Sequence, residues 1–375
     1  MSTRVLMVSK ACLVGIYQRK LEEIARHGDV TLRVVVPPFW RDERGVLALE
    51  RVHTERYELL VEPMALNGSF HLHFYPRLGR HIRAFCPDIV HMDEEPYNLA
   101  TWHGMALARR AGCRTVWFSW QNLRRRYPPP FAWFERYCLR YTDAAIAGSH
   151  TAAQVWRDKG YAGPLAVIPQ FGVDPLVFAP SPRPEERGGF VIGFAGRLVA
   201  AKGVDLLLEA AAGLEGARVE ILGSGPLRGA LERQAAQAGL GERVSFLGTL
   251  PSPRMPEFYH RLDVLVLPSR SQANWIEQFG RVLVEAMACG MPVIGSDCGE
   301  IPHVIGDAGL VFPEGDVAAL RGCLARLASD PALRAALGRQ GRERALAHYT
   351  HAHVAAQTVA VYRAMMDTDC YGLHG

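Results

Sequence analysis

Short runs of apolar, often β-branched residues alternate along this chain with longer stretches whose apolar positions recur every three or four residues. That alternation is the signature of parallel strands joined by crossover helices. In the first half the strand candidates are RVLMV, TLRVVV, DIVHM, RTVWFS and DAAIAG. Each is apolar nearly throughout, as a strand covered on both faces should be. Helical spacing runs from Gln18 to His27 and from Asn98 to Ala111. After Val167 the prolines, glycines and charges of IPQFGVDPLVFAPSPRPEERGG mark a linker. The alternation then restarts with FVIGFAG, ARVEILG, VSFLG, DVLVLPS, PVIGS and GLVF. Helices are expected over Val204–Leu214, Pro226–Ala238, Pro253–Arg261 and Phe279–Ala288, and then over Asp316–Ala328, Ala332–Tyr349 and His351–Met366. The tail DTDCYGLHG carries no periodic pattern.

The pattern predicts an α/β chain of two Rossmann-like, doubly wound domains. The first is expected over residues 1–178, joined by the C-terminal helix 354–375, and the second over 188–350. Ligands of such sheets bind outside the carboxyl ends of the strands, and two such sheets facing each other make a cleft.

Composition narrows the chemistry. The 375 residues allow two to three domains, and the hydrophobic share of 49% is ample for two cores. A net charge of +4 is too mild for a nucleic-acid binder, yet it suits an anionic small molecule or contact with an anionic membrane. The scattered cysteines form no C-x-x-C pair, which argues against a zinc or redox site. The start MSTRVLMVSK has no signal-peptide pattern, and no apolar run is long enough for a membrane span. The expectation is a cytoplasmic protein, with peripheral contact at the inner face of the cell membrane left open. Lysine occurs only at Lys10, Lys20, Lys159 and Lys202; the rest of the 42 basic residues are arginine.

Candidate chemistry sits at strand ends in the second half. In GFAGRLVAAKG, a turn at Gly196 is followed by Arg197 and then by Lys202 just before a helix. A forked guanidinium and a compact ammonium placed there can hold a diphosphate; two surface cations beside a loop are the plain alternative. The turn LGSGP at Gly223 opens a helix but is not G-x-G-x-x-G, so a dinucleotide fingerprint is not supported. VSFLG and DVLVLPS bring Gly248 and Ser269 to the same edge. In EQFGRVLVE, Glu277 and Glu285 bracket Phe279, Gly280 and Arg281. A helix starting near Gly280 offers bare amides and a positive dipole end to an anion. The two acids are about 12 Å apart at helical rise, the span from a hexose across a diphosphate to a ribose. Each carboxylate can accept from two neighbouring hydroxyls, Glu277 from the sugar and Glu285 from the ribose. Glu285 precedes the apolar AMACGMPVIGSD, so it needs a hydrogen-bonded partner.

Taken in order, GRLVAAKG, GSGP, FLG, LPS and the E-x7-E run resemble the retaining GT-B glycosyltransferases of the large family-4 group (glycosyl transferases group 1). The resemblance implies that Arg197 and Lys202 hold the donor diphosphate, Glu277 the sugar hydroxyls and Glu285 the ribose. Backbone around Phe279, Gly280 and Arg281 lines sugar and phosphate. It implies a nucleotide-sugar donor, no cofactor and no metal. The first half departs from the family. Where the family has a Gly-Gly loop after its first strand, LVGIYQRK offers only Gly15, with Val14 in the other place. Where it often has a histidine, RTVWFS runs into Trp120, Gln121 and Asn122. His91, Asp93 and Glu94, in DIVHMDEEPYN, are further acceptor-side candidates. The acceptor class, whether lipid, glycan or small molecule, stays open. Arg124, Arg125 and Arg126 precede three prolines and an aromatic helix with Phe131, Trp133 and Phe134. That segment reads either as a membrane-facing element or as a solvated loop beside a core-facing aromatic stripe. Two other readings are a subunit that binds a sugar nucleotide without transfer and a GT-B enzyme such as a sugar-nucleotide epimerase.

Overall fold

A computed structural model describes residues 2–43, 45–181 and 189–367; residues 182–188 of the linker and the tail 368–375 lie outside them. The chain divides into two compact units, Met1–Gly172 with His351–Gly375, and Val173–Thr350.

Unit 1 holds β1 (Thr3–Val8), β2 (Val30–Val36), β3 (Phe39–Asp42), β4 (Gly45–Ala48), β5 (Glu58–Val61), β6 (Ile89–Met92), β7 (Arg114–Ser119), β8 (Ala144–Ala147) and β9 (Leu165–Val167). Its helices are α1 (Arg19–Ala25), α2 (Leu78–Phe85), α3 (Leu99–Arg110), α4 (Phe131–Tyr141) and α5 (His150–Asp158). Seven strands make one parallel sheet in the order β5-β2-β1-β6-β7-β8-β9, and β3 and β4 form a separate antiparallel hairpin. The central strands are apolar on both faces because helices cover both: Val5, Leu6, Met7 and Val8 are all fully buried.

Unit 2 holds β10 (Val191–Ala195), β11 (Arg218–Leu222), β12 (Val244–Gly248), β13 (Val264–Leu267), β14 (Val293–Ser296) and β15 (Leu310–Phe312). Its helices are α6 (Val204–Ala212), α7 (Arg228–Gln237), α8 (Met255–Tyr259), α9 (Arg281–Ala288), α10 (Ile301–Ile305), α11 (Val317–Ser329) and α12 (Pro331–His348). The six strands are parallel in the order β12-β11-β10-β13-β14-β15, a doubly wound order that reverses between β10 and β13. Asp316 and Asp330 cap α11 and α12 by accepting from Ala319 N and Leu333 N, each at 2.8 Å. The final helix, α13 (His351–Asp367), belongs to unit 1. Its buried Val354, Ala355, Val359, Tyr362 and Met365 sit in the same core as Leu21 and Ile24 of α1.

The architecture of two doubly wound α/β sheets is the one the alternation predicts. The strands that the pattern leaves out, β3, β4, β5 and β9, are short and mostly half-exposed or exposed, so no two-sided apolar run announces them. The helix expected from Phe279 begins at Arg281 instead. Gly280 takes φ +79°, a left-handed turn that stops the helix from extending backward and that a side chain would strain.

Candidate active site

In unit 2 the chain leaves β10 in one direction and returns through β13 on the other side, so the carboxyl ends of these two strands flank the topological switch point. After β10 a short turn, Ala200–Lys202, carries Lys202; after β13 comes Ser269, fully buried. Lys202 Nζ donates to Glu277 Oε2 at 2.5 Å, and Ser269 Oγ donates to the same oxygen at 2.7 Å. Glu277 is itself buried, and its carbonyl accepts from Glu300 N at 3.2 Å, which anchors the loop that holds it. Lys202 and Ser269 are thereby joined through Glu277 in one hydrogen-bonded cluster across the switch point, and these bonds do not include Arg197 or Glu285.

Beside the ends of β10, β11 and β12 lies a cavity of about 300 Å³, at the lower end of the range for small-molecule sites. Gly196, Arg197, Gly223, Thr249, Arg281 and Glu285 are among its lining. Arg197 is exposed there. Gly223 packs so tightly that a Cβ would fall 1.8 Å from the Gly196 carbonyl oxygen, and its N–H donates to Gly248 O at 2.5 Å. A larger residue at Gly223 would force the two turns apart.

Glu285 has the partners its apolar context demands. The Tyr259 hydroxyl donates to Oε2 at 2.6 Å and Arg281 Nε donates to Oε1 at 2.7 Å. Burial, with the Glu285 carboxylate beside it, pushes the Tyr259 phenol well above its ordinary range, so it stays a donor. A carboxylate oxygen has two lone pairs, so each keeps one for a ligand hydroxyl. The half-buried Phe279 ring packs edge-on to Tyr349 at 5.7 Å.

Unit 1 has its own switch point, between β1 and β6. Ser9 Oγ donates to Asp93 Oδ2 at 2.6 Å, and Lys10 N donates to Glu94 Oε1 at 3.3 Å. The Lys10 ammonium lies 3.9 Å from Glu94 Oε2 and over the rings of Trp40 and Phe70, 4.2 and 4.8 Å from their centroids. Burial alone raises the Glu94 carboxyl, but Lys10 and His73 outweigh it and hold the group at about 2. Its neighbour Glu95 goes the other way: burial raises it to about 7, against hydrogen bonds from Ser119 Oγ at 2.5 Å and Trp120 N at 2.8 Å.

The remaining first-half candidates are placed differently from one another. His91 is buried, bonded through Nδ1 to the Tyr362 hydroxyl at 2.7 Å, and held neutral by burial, which lowers it to about 4. It faces α13 in the interior of unit 1. Trp120 Nε1 donates to Gln170 Oε1 at 2.8 Å. Gln121 bonds Leu123 O and accepts from Lys159, and Asn122 is buried beside it. The Gly15 N–H donates to Glu50 Oε2 at 2.6 Å, so a carboxylate occupies the amide where the resemblance implies a phosphate. Arg124, Arg125 and Arg126 are exposed. Of the aromatic stripe, Phe134 stacks on Trp102 and Phe131 packs near His71, whereas Trp133 stands 59% exposed.

Sequence reasoning missed Ser9, Lys10, His73, Glu95, Tyr259 and Tyr362. Lysine scarcity was a usable signal for Lys10. It did not single out Lys202: Lys20 is buried beside Phe171, and Lys159 donates to Glu135 at 2.6 Å. The tyrosines lie far along the chain from their partners, and no local spacing reveals them. Among the described residues no helix is long and apolar enough to cross a membrane.

Residues 180–344 match the family model described as Glycosyl transferases group 1, and residues 21–175 match that of Glycosyltransferase Family 4. A 2-deoxystreptamine N-acetyl-D-glucosaminyltransferase of Streptomyces fradiae is 31% identical over 71% of this chain and 72% of its own length. A GDP-mannose-dependent α-(1-6)-phosphatidylinositol monomannoside mannosyltransferase of Mycolicibacterium smegmatis is 34% identical over 49% of this chain and 53% of its own. The chain spans about half the length of most of the curated relatives it matches. Among solved structures, Anabaena HepE in complex with UDP superposes with a TM-score of 0.73 over 97% of this chain and all of that one, at 19% identity.

Proposed function

Because the chain belongs to the glycosyl transferases group 1 family, within glycosyltransferase family 4, we propose that it is an anomer-retaining glycosyltransferase that moves a hexose from a nucleotide-diphosphate sugar to an acceptor hydroxyl. The observation that carries the reading is the cluster at the switch point of unit 2, where Lys202 and Ser269 both donate to Glu277, together with a cavity lined by Arg197 and Glu285 at the ends of β10, β11 and β12. Unit 2 binds the donor and unit 1 the acceptor. The acceptor oxygen attacks the anomeric carbon on the face from which the diphosphate departs. The carbon–oxygen bond to the diphosphate breaks, and the acceptor proton passes to the leaving phosphate oxygen. Arg197, Lys202 and the amides at Gly280 and Arg281 offset the charge that grows there. No metal is needed for this arrangement. Glycolipid, cell-surface polysaccharide and small-metabolite acceptors all fit it, and the exposed Arg124–Arg126 run beside Trp133 supports peripheral contact with an anionic membrane.

The test is a thermal-shift screen over UDP-, GDP-, ADP- and TDP-sugars, followed by transfer assays against a panel of acceptors. The Mycolicibacterium relative is named for GDP-mannose and the Anabaena structure holds UDP, so those two nucleotides head the screen. A donor that binds the folded protein raises its melting temperature by mass action. A screen without any stabilising sugar nucleotide would refute the reading. A second reading, binding without transfer, draws on Glu50 at the Gly15 amide. Stabilisation without donor hydrolysis or transfer would favour it.

A further inference from the structure

Between β13 and Glu277 the chain takes a detour, RSQANWI, that none of the phosphate- or sugar-binding candidates explains. It is anchored along its length. Arg270 N donates to Ala201 O at 2.8 Å, and its guanidinium reaches Ala200 O and Asp205 Oδ1, each at 3.0 Å. The detour is thereby tied to the turn that bears Lys202. Ser271 donates through N and Oγ to Glu314 Oε2 at 2.8 and 2.9 Å. Gln272 and Trp275 close a tight turn with two backbone bonds, at 2.7 and 3.2 Å.

An exposed loop with this many anchors holds something in place, and what it holds is Trp275. The half-buried indole has the Lys202 ammonium 5.0 Å from its ring centroid, and the same ammonium bonds Glu277. We propose that Trp275 is the platform on which the donor's sugar ring lies, and that it is a specificity-determining residue for the donor. This rests on the donor reading of unit 2. A diphosphate competes for the Lys202 ammonium. Once the ammonium turns to it, the indole face is open to a ring that is apolar on its C–H face and polar at its rim. A pyranose is such a ring, and Glu277, which shares the Lys202 ammonium with the indole, supplies an acceptor for rim hydroxyls. The ligand class recognised here is therefore a nucleotide-linked pyranose with an unobstructed C–H face.

Six of the seven tryptophans lie in residues 1–172; Trp275 is the one in residues 173–350. The full chain and its Trp275→Phe and Trp275→Ala variants are titrated with UDP, UDP-glucose, GDP and GDP-mannose, following tryptophan emission and thermal stability. The expected result is that the preferred sugar nucleotide changes the wild-type emission beyond what its bare diphosphate does, and that Trp275→Phe loses this difference while keeping its affinity within a few-fold, since phenylalanine retains a flat face. Trp275→Ala should weaken the sugar nucleotide about tenfold and leave the bare diphosphate within twofold. A sugar-dependent emission change that persists in Trp275→Phe, or unchanged sugar-nucleotide affinity in Trp275→Ala, overturns the platform while leaving the donor reading intact. Equal losses for sugar nucleotide and bare diphosphate overturn it too, because they assign the indole to the phosphates or to the fold. Absence of binding in all three proteins, extended to ADP- and TDP-sugars, overturns the donor reading and the platform together.

Discussion

Lys202 and Glu277 are asked to do two things, hold a loop and serve a substrate, and a double-variant cycle separates them. In the resting protein the pair is bonded at 2.5 Å with side chains only 18% and 9% exposed. Lys202→Ala strands a buried carboxylate whose Oε2 keeps the Ser269 hydroxyl. Loss of one partner from a buried charged pair costs about 1–3 kcal/mol when another donor remains. For a unit of this size that is a fall of roughly 2–12 °C in melting temperature. If Lys202 also steadies the departing diphosphate, turnover drops by about 100- to 1,000-fold. Glu277→Gln on top of Lys202→Ala removes the stranded charge, so the double variant should recover most of the lost melting temperature. Its turnover should stay low, because both the cation and the carboxylate assigned to the sugar are missing. The assay is scanning fluorimetry alongside donor hydrolysis and transfer. Recovery of turnover together with stability, or full turnover in Lys202→Ala alone, would show that the pair only holds the loop, and the electrostatic role would be wrong.

Tyr259→Phe removes one of the two donors to Glu285 and should cost about 1–3 kcal/mol of stability. It should also raise the donor KM; an unchanged urea midpoint and KM would show that Glu285 is held by Arg281 alone. Glu95 gives a pH signature. Its folded value, about 7, lies above that of a free glutamate, so between about pH 4.5 and pH 7 the folded state keeps a proton that the unfolded chain has lost. Stability from this group is therefore lost as pH rises through that window, by at most about 3 kcal/mol. Glu95→Gln should flatten the decline relative to wild type when urea unfolding is compared at pH 5 and pH 7.5, and an identical slope would contradict it. Replacing Arg124, Arg125 and Arg126 with glutamine should weaken sedimentation with phosphatidylserine vesicles at low salt, and equal binding would remove the membrane contact.

The fold was legible wherever burial on both faces imposed a run of apolar residues, as in RVLMV, FVIGFAG and DVLVLPS. It was illegible in β4, whose four residues are all exposed, and at Gly280, where a left-handed turn delays the helix by two residues. The donor-side candidates were legible because glycine turns, cations and acids follow strand ends in order. Their supporting residues were not, since Tyr259 reaches Glu285 from 26 positions away and Tyr362 reaches His91 from 271. Only the folded sheet brings those pairs together.

One consequence of α13 belongs to the moment of synthesis. Unit 2 is contiguous in sequence, and its two ends are joined where Val173 N donates to Tyr349 O at 2.8 Å. Unit 1 is not contiguous: the core around Val5, Leu21 and Ile24 is completed by Val354, Val359 and Tyr362. On the ribosome the earlier-made unit must wait, half-covered, while the intervening segment is translated, roughly ten to thirty-five seconds. The later-made unit closes on itself without that delay, so the amino-terminal half is the one exposed to chaperones and proteases at birth.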